Sequence, residues 1–550
     1  MPKILINEKD NTSPGTPGNY ANYSVLIAGY KGTPSTSPDA MIIEPDSNGV
    51  YEFSSKQAFE DTIGFTETEV KAGVADITNA AGEVHYGKRM AHALLNLGYT
   101  VIYKPIDSVQ DMNTEAFWEV FKDKASYDFR FISHGLLETN TDLSAYKALT
   151  DRLVEIKEDI AKLQEITETV DKAKNGKAKE EDYEAEYSKY IEDVVNYPER
   201  QVVFKDDGSK WFTDGYLQYG TYIIAKEALS EDELGIIPAL ATQEQKISEE
   251  DAKGITPGVF NNINSHITKL ARYVVDDKAA IPGRGDCIAL IELDKNCYVS
   301  ATSKPENAII DGVNNLASSI ADDGTYCALT VPSVYYKMSN EAVEFPGAFH
   351  YLACFMSSLR AGFAEWYAAA GYTRGVSSYV IDHTAVKLGE IAINALEPRN
   401  IVDDPNKVQP AFACNVIANF RGSYYLWGNR TAHKLGAAAG GNDLVAHHFL
   451  NIRQLCTTIK KQLYVACRRF TFDPNSDTLW FNFVNAITPT LDMMKADQGI
   501  RDYKVLKVFT DKKATLKAKI RIIPIEAVED FDLEISLEDS FGETSAVVTE

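Results

Sequence analysis

The chain has 550 residues, of which 45% are hydrophobic, and its formal net charge is -24. This length predicts several domains, each with its own core. The negative net charge argues against a nucleic-acid partner, because such a partner needs a surface of clustered lysine and arginine. The seven cysteines form no CxxC pair, so we expect reduced thiols rather than a disulfide framework or a zinc site.

The beginning of the chain is typical of a flexible arm. The segment KILIN predicts a short strand containing Ile4, Leu5 and Ile6. A linker rich in Pro, Gly and Asn follows it, so residues 1–20 are predicted to lie outside any core. The apolar run is too short for a signal peptide, and no segment reaches transmembrane length. We therefore expect a soluble protein made inside the cell, without a membrane partner.

Residues 21–137 alternate predicted strands with predicted helices. A buried strand is predicted at Val25–Ala28 and a second one near Met41–Ile43, before a helix. The segment GKRMAHALLNLGYTVIYKPI then predicts a helix that stops at Gly98 and continues into a strand. This alternation is typical of an α/β layer, with helices packed on a sheet.

Residues 138–257 differ from the segments on either side. Apolar residues spaced by three and four run from Tyr146 to Val170, which is a heptad pattern. A KNGK turn and a second apolar stripe follow, and together they predict an antiparallel helical hairpin. The hairpin either projects from the surface or packs within the domain. The whole segment is longer than an ordinary connection, and we interpret it as an insertion.

From residue 258 onward strands and helices resume. Two paired strands are predicted in FACNVIANF and SYYLWGNRT, followed by long helices at about 447–470 and 476–496. The first long helix has an apolar face and an opposite basic stripe, which is predicted to face solvent or a docking partner. The stripe consists of Arg453, Lys460, Lys461 and Arg468.

Charge is unevenly distributed at the end of the chain. Residues 451–525 contain 14 lysines and arginines against 6 aspartates and glutamates, whereas residues 526–550 contain 9 acids and no base. Two alternating strands are predicted there, each with one apolar and one charged face. The basic face is formed by Lys517, Lys519 and Arg521. The acidic strand has apolar Phe531, Leu533, Ile535 and Leu537 and acidic Asp532 and Glu534.

Two interpretations of these strands stay open. They either pair with each other as a hairpin through residues 524–530, or each pairs with an edge of another copy. In the second interpretation KILIN and a segment containing Val547 and Val548 are further candidate strands for a neighbour's edges.

Sequence motifs of catalysis are absent from the chain. It contains no Walker A pattern, no GxSxG and no HExxH, and its glycine-rich segments lack GxGxxG spacing. We therefore expect no catalytic, cofactor-binding or metal-binding residues. The GRGD at Gly283–Asp286 is predicted to be a tight turn before a strand rather than an adhesion motif.

Several segments, in collinear order, resemble the tail sheath proteins of contractile phage tails, R-type bacteriocins and related injection systems. The similarity covers about residues 20–137 and 258–540. It begins with SVLIAGYKGTP and the helix–Gly98–strand segment. Two later motifs carry most of it. The first contains Asn415, Ile417, Gly422, Trp427, Gly428, Arg430 and Thr431. The second contains Asn451, Arg453, Phe472, Pro474, Asn475, Leu479 and Trp480.

This resemblance implies a structural protein and not an enzyme. It implies self-association into stacked hexameric rings, with helical symmetry, around a tail tube, and contacts with baseplate and tail terminator proteins. Contraction would drive the tube through a host envelope for genome ejection. The subunit would be assembled in the host cytoplasm and located in the tail of the virion. The basic stripe is then a candidate tube-facing surface.

The fold class predicted in this way is α/β (α+β) with several domains. The middle of the chain forms an outer domain from residues 21–137 and 258–405, interrupted by the insertion. Residues 406–528 form an inner domain together with the N-terminal arm, and residues 529–550 form an acidic strand and arm. An alternative interpretation, a nucleotide- or metabolite-binding α/β enzyme, depends only on the alternation of strands and helices. A third, a surface adhesion or decoration protein, depends on the predicted hairpin and GRGD.

Overall fold

The computed structural model describes twelve stretches of the chain and one isolated residue. These are 23–65, 77–79, 83–138, 216–219, 222–225, 257–272, 283–299, 304–338, 341–397, 409–435, 444–510, 514–525 and 527. The predicted arm at 1–20, the predicted helical hairpin at 142–196 and the predicted acidic strand at 531–537 lie outside the described residues.

Strands and helices alternate along most of the described chain. The strands are β1 Ser24–Tyr30, β2 Tyr51–Phe53, β3 Thr100–Ile106, β4 Phe131–Ser133, β5 Tyr216–Tyr219, β6 Tyr222–Ala225, β7 Ile288–Ile291, β8 Cys327–Val331, β9 Val334–Met338, β10 Glu341–Phe345, β11 Ile381–Thr384, β12 Asn415–Phe420, β13 Ser423–Trp427, β14 Ile500–Val508 and β15 Lys517–Pro524. The α-helices are α1 Lys56–Ile63, α2 Gly87–Asn96, α3 Glu115–Glu119, α4 Pro257–Ala271, α5 Asn296–Val299, α6 Pro305–Ile320, α7 Gly347–Arg360, α8 Gly371–Arg374, α9 Glu390–Leu396, α10 Leu450–Arg469 and α11 Asp477–Ala496.

Eight strands form one large sheet in the order β13-β12-β8-β7-β4-β1-β3-β2. The six central strands are parallel, and the edge strands β2 and β13 pair antiparallel with their neighbours. Helices link the parallel strands, as this geometry requires. The predicted α/β class is therefore confirmed.

Both faces of the large sheet are covered. Along β1, Leu26 and Ala28 point into one apolar core and Val25 and Ile27 into the other. The first core is closed mainly by α4 and α6, and the second by α1, α2 and α7. A strand buried on both faces loses the polar–apolar alternation, which explains the continuous apolar run of β1.

Helix α2 packs tightly on the end of β1. A Cβ on Gly87, its first residue, would lie 1.8 Å from the carbonyl oxygen of Ala28. The chain turns into β3 through Gly98, whose φ of +83° lies in the left-handed region that favours glycine. The predicted helix, glycine stop and strand are confirmed at this point.

Two strand predictions need correction. The strand expected near Met41–Ile43 is absent; Met41 is 55% exposed and Ile42 45%, and β2 lies further on at Tyr51–Phe53. The strands β12 and β13 were assigned to the inner domain, yet they belong to the large sheet because Asn415 and Val416 pair with Thr330 and Val331 of β8. The domain division as a whole stays a prediction. Within the predicted insertion, β5 and β6 form an antiparallel hairpin that the sequence analysis did not assign.

The carboxyl ends of β1 and β4 flank the point where the strand order of the sheet reverses, which is where open α/β sheets usually bind ligands. Here the position is filled by buried side chains of the chain itself. The Nδ1 of His85 accepts a hydrogen bond from the backbone N–H of Gly87 (3.1 Å), and its Nε2 donates to the carbonyl of His134 (2.8 Å). His134 in turn accepts from the N–H of Leu136 (3.0 Å) and donates to Asn264 (2.9 Å).

The GRGD segment is also internal. The Arg284 guanidinium donates two hydrogen bonds to the Asp286 carboxylate, at 3.0 and 3.2 Å, and a third to the carbonyl of Phe121. Arg284 is 1% exposed and Asp286 6% exposed, so neither side chain is presented to a receptor. One of the two observations that favoured an adhesion protein, the GRGD segment, is thereby removed; the other, the predicted hairpin, lies outside the described residues.

None of the helices in the described stretches is both long and apolar enough to cross a membrane. All seven cysteines lie in the described residues and none forms a disulfide, which confirms the prediction of free thiols.

The buried histidines predict a specific loss of stability in acid. Burial lowers the pKa of His85 to about 3 and that of His134 to about 4, and also lowers the pKa of His350 to about 3. In the unfolded chain these groups titrate near 6.5, so between pH 6.5 and 4 the unfolded state binds more protons and is favoured as pH falls. At pH 5 each histidine should reduce the free energy of unfolding by about 2 kcal/mol relative to pH 7.

Urea unfolding of dilute subunits at pH 7 and pH 5, at constant ionic strength, measures this loss. The difference between the two pH values should shrink in His134→Asn, because that variant lacks one of the buried imidazoles. The same pH dependence in His134→Asn and the unmodified chain would contradict the assignment.

Candidate assembly interface

A helix pair carrying a two-stranded sheet follows the large sheet in the chain. Helices α10 and α11 pack on each other, and β14 and β15 form an antiparallel pair beside them. Their shared core contains Leu455 and Ile459 of α10, Met494 of α11 and Ile500 of β14, with Trp366 from the loop after α7. Helix α11 begins at Ser476, whose hydroxyl accepts a hydrogen bond from the N–H of Leu479 (3.3 Å).

The register of the β14–β15 pair sorts its side chains onto two faces. Tyr503 lies opposite Ile522, and Val505 lies opposite Ile520. Tyr503 and Ile522 pack against the helix core, and the Tyr503 hydroxyl donates to Asp492 of α11 (2.7 Å). This face of the sheet therefore rests on the helices.

The other face is exposed and basic. Lys504 lies directly opposite Arg521, and Leu506 and Val508 lie opposite Lys519 and Lys517. The four cations Lys504, Lys517, Lys519 and Arg521 are all exposed, and none forms an ion pair or hydrogen bond among the described residues. Because like charges opposite each other destabilise a strand pair, this face, which we call the basic sheet face, favours an acidic partner.

Both outer edges of this small sheet are open in the described part of the chain. The order is β14-β15 alone, so one side of each strand has unpaired backbone N–H and C=O groups. An exposed strand edge of this kind pairs readily with an added strand.

Large aromatic side chains surround the same region. Phe509, just after β14, is 93% exposed, Phe481 of α11 is 63% exposed, and Phe472, in the loop between α10 and α11, is 87% exposed. The backbone of Phe472 has a φ of +77°, in the left-handed region that non-glycine residues rarely adopt. A strained backbone that holds a phenyl ring in solvent indicates that the ring has a function.

A buried arginine couples the helix pair to the large sheet. Arg130, next to β4, is fully buried; its Nε donates to the side-chain oxygen of Gln454 (3.0 Å) and its NH1 to Glu365 (2.5 Å). Its NH2 donates to the Gln454 carbonyl (3.2 Å) and to the hydroxyl of Thr458. Thr458 in turn donates to Glu365 (2.5 Å). We call these contacts the Arg130 network; they connect the residue before β4 to α10 and to the loop after α7, and they also join that loop to α10.

The predicted basic stripe on α10 is wrong for three of its four residues. Arg453 is 2% exposed, Lys460 7% and Lys461 3%. The first two lie against Tyr326: the Arg453 guanidinium stands 4.4 Å from the ring centroid, and Lys460 donates to the hydroxyl (3.3 Å). Lys461 donates to Asp128 and lies 3.8 Å from Asp286.

The cause of this burial is that the large sheet packs on the face of α10 that the sequence pattern assigned to solvent. Arg468, near the end of the helix, is exposed. Contact of any of the four with a tube stays a prediction.

Of the predicted strand residues, the structure describes Lys517, Lys519 and Arg521 only, and brings them together on the basic sheet face. The others lie outside the described residues: Ile4, Leu5, Ile6, Phe531, Asp532, Leu533, Glu534, Ile535, Leu537, Val547 and Val548. The partner of β15 on its paired side is β14, which the sequence analysis did not identify. Pairing of residues 531–537 with the open side stays a prediction.

Sequence reasoning also missed the Arg130 network. One signal was present: Arg130 is a cation between Phe129 and Phe131 at the start of a buried strand, and such a charge needs a partner. The identity of the partner was not readable, because Glu365 and Thr458 are distant in sequence.

Comparison with family models and with curated proteins gives no match. Among solved structures, the chain is similar to one in the cryo-EM structure of the anti-feeding prophage baseplate, 6-fold symmetrised, at 10% identity and a TM-score of 0.49, over 98% of this chain and 99% of that one. It is also similar to the helical sheath of the anti-feeding prophage in the contracted state, at 10% identity and a TM-score of 0.47, again over 98% and 99%.

A further similar structure is the PVC sheath complex of an extracellular contractile injection system in the contracted state. The identity is 10% and the TM-score 0.43, over 98% of both chains.

Replacing Arg130 by Met should uncouple α10 from the large sheet. The change leaves the Glu365 carboxylate buried without its cation, and should lower the free energy of unfolding by about 3 to 5 kcal/mol. Hydrogen exchange of α10 and urea unfolding measure the effect. Arg501→Met, at an exposed position, should change stability by less than about 0.5 kcal/mol. The double variant Arg130→Met/Glu365→Met should be more stable than Arg130→Met alone; if it is less stable, the ion pair is not the source of the loss.

Substitution of Phe472 separates strain from function. Glycine removes both the ring and the cost of a positive φ, whereas alanine removes only the ring. Phe472→Gly should therefore be more stable than Phe472→Ala by about 1 kcal/mol in urea unfolding. If the ring is an assembly contact, both variants should assemble less well than the unmodified chain. Wild-type assembly by both variants would exclude that role.

Proposed function

We propose that this chain is the sheath subunit of a contractile tail or injection machine. Copies assemble around a rigid tube as stacked hexameric rings, and the lattice of copies contracts to drive the tube through an envelope. The proposal is supported first by the collinear sheath-like motifs, which include the ends of β12–β13 and the start of α10. Its main support is the small β14–β15 sheet, which has a basic sheet face and, in the described part of the chain, two open edges, together with the acidic alternating sequence predicted to form a strand at 531–537.

The predicted acidic strand fits the open edge of β15. Added there with Phe531, Leu533 and Ile535 toward the helix core, it has Asp532 and Glu534 on the same side as the basic sheet face. The acids then lie opposite Lys517, Lys519 or Arg521, and each opposite-charge pair contributes roughly 0.2 to 1 kcal/mol. One such pair is weak, but every copy in a lattice repeats it.

We propose that the added strand comes from a neighbouring copy. Main-chain hydrogen bonds then join the copies while the linkers beside the strand allow rigid bodies to rotate past one another. Contraction needs this property, because the lattice changes its packing without losing its connections. The free-energy difference between the two packings supplies the work, and bistable interfaces are a known means of storing such a transition.

The finer features of the proposal come from the resemblance. The partners are other copies of the chain, a tail tube protein, and baseplate and tail terminator proteins. Assembly takes place in the host cytoplasm and the product is the tail of a virion, in which contraction serves genome ejection. No residue is assigned a catalytic, cofactor-binding or metal-binding role.

A nucleotide- or metabolite-binding enzyme is not favoured. The position where the strand order of the large sheet reverses is filled by His85, His134 and Asn264, which hydrogen-bond to one another.

Assembly gives the direct test of the sheath proposal. Purified protein at high concentration should form tubes or rings in negative-stain electron microscopy. Discrete particles at all concentrations, with melting that depends on an added nucleotide, would contradict the sheath proposal.

A charge-swap experiment tests strand exchange itself. Variant A carries Lys517→Glu and Lys519→Glu, and variant B carries Asp532→Lys and Glu534→Lys. Each alone should fail to form tubes, because like charges face each other across the added strand. An equimolar mixture of A and B should form tubes again, since every exchanged strand then meets the opposite charge on a neighbour.

The control is Lys337→Glu with Lys387→Glu, which has the same change in net charge at exposed lysines near the large sheet and should assemble normally. If A and B stay unassembled when mixed but the four substitutions in one chain restore tubes, the strand pairs within its own chain. That result would contradict strand exchange between copies.

A further inference from the structure

A second basic surface lies where α10 meets the large sheet. A cleft of about 450 Å³ separates the second half of α10 from the loop that contains Lys124 and Asp128. Its other charged lining residues are Asp286 of the GRGD segment and three cations of α10. These three are Lys461, Arg468 and Arg469. We call this space the junction cleft.

The cations of the junction cleft exceed its acids. Asp286 is already bound by Arg284, and Lys461 lies beside both Asp286 and Asp128. Arg468 and Arg469 form no ion pair with any carboxylate among the described residues. Burial lowers the pKa of Lys124, an effect that Asp286 opposes and that Arg284 and Lys460 reinforce. The cleft therefore has a surplus of positive charge in a partly desolvated place.

A helix end alone does not explain this arrangement. Two arginines in the last turn of α10 suit the negative end of the helix dipole. Lys124, however, comes from a different part of the chain and points to the same place. Its Nζ and the Arg468 guanidinium each lie 5.8 Å from the centroid of the Tyr464 ring. Two segments thus direct cations at one ring, and the positive lining of the cleft favours an anionic occupant.

We propose that, in the unassembled subunit, the junction cleft holds carboxylates of the acidic segment 526–550 of the same chain. That segment has 9 acids and no base, so its charge is complementary to the cleft. This inference rests on the proposed function, because the same segment is later given to a neighbour as a strand.

The acidic segment follows β15 closely enough to reach the junction cleft. The N–H of Ile525 donates to the carbonyl of Gly499 (3.1 Å), next to the core that contains Ile459. From Ile459 to Arg468 a helix advances about 14 Å, whereas ten extended residues span about 33 Å. Attachment to the same chain also gives the segment an effective concentration of the order of millimolar. In dilute solution the concentration of the same segment on other copies is far lower than this value.

Docking in the cleft would keep the subunit from polymerising too early. While its carboxylates occupy the junction cleft, the predicted strand at 531–537 would be withheld from the edges of other copies. In an assembly, a neighbour's open β15 edge adds main-chain hydrogen bonds that the cleft does not offer, and so the segment transfers. Salt should weaken the docking, because Arg468 and Arg469 of the cleft are exposed and their charges are screened.

A carbodiimide cross-link between Lys124 and the acidic segment tests the docking in the full chain. Isotope-labelled and unlabelled subunits are mixed in equal amounts, kept dilute, cross-linked and analysed by mass spectrometry. Cross-linked peptides should carry a single label type. Arg468→Gln with Arg469→Gln should reduce their yield about tenfold, while Lys337→Gln with Lys387→Gln, at exposed lysines outside the cleft, should not. Lys124→Arg keeps the charge but removes the reactive amine, and should abolish the product.

The opposing outcomes are equally distinct. Peptides with mixed labels, or no link from Lys124 to residues 526–550, would overturn the proposal. If inorganic phosphate protects Lys124 from an amine reagent and no link to the segment forms, a free anion occupies the cleft and the proposal is also wrong.

A second readout separates this inference from the sheath proposal. The Arg468→Gln/Arg469→Gln variant should form tubes after a shorter lag than the unmodified chain, because its segment is released. If the unmodified chain forms tubes but its free subunit gives no cross-link, only the docking proposal is contradicted. If the free subunit gives the cross-link but forms no tubes under any condition, only the sheath proposal is contradicted.

Discussion

The burial of Arg130 is the constraint on which the arrangement of this subunit depends. A guanidinium placed in a protein interior needs every donor satisfied, and here Gln454, Thr458 and Glu365 all contribute. Two of the three lie on α10, so a shift of that helix along its axis would break several charge-assisted bonds together. The small β14–β15 sheet rests on α10 and α11, and so its position is fixed relative to the large sheet. These contacts tie α10, α11 and the small sheet to the large sheet, so the movement that the proposed contraction requires would occur between copies.

Electrostatics complements this arrangement. Within the described residues several cations that bind α10 to the rest of the subunit are buried and have partners: Lys461 lies beside Asp128 and Asp286, and Lys460 donates to Tyr326. The charges on the basic sheet face are exposed and of a single sign. Exposed ion pairs contribute little one at a time, and they form and exchange easily. Strong, satisfied charges therefore fix the internal geometry, and the proposed contacts between copies would depend on weak, repeated ones.

Local patterns in the sequence predicted much of the fold. The apolar run of β1, the glycine stop at Gly98 and the spacing of α10 and α11 depend on neighbouring residues, and the structure agrees with each. The prediction that the basic stripe faces solvent was wrong, because a helical pattern separates an apolar face from a polar face but does not show whether the polar face is also buried. Lys460 was expected to face solvent and instead contacts Tyr326. The Arg130 network and the pairing of β14 with β15 depend on tertiary contacts between distant segments, which periodicity does not encode. Of the candidate assembly interface, only the basic face of β15 could be predicted from the sequence.

If the acidic segment 526–550 binds as proposed, it has two basic surfaces to choose between, and the difference between those surfaces gives the order of events. The junction cleft offers side-chain charge alone, but it belongs to the same chain and is always near. The open edge of β15 on another copy offers backbone hydrogen bonds as well as charge, but only where copies are already gathered. In dilute solution proximity favours the cleft, and in a growing lattice the extra hydrogen bonds favour the edge. Since Arg130 holds both surfaces on one body, transfer of the segment needs no rearrangement inside the subunit. It only needs a neighbour in place.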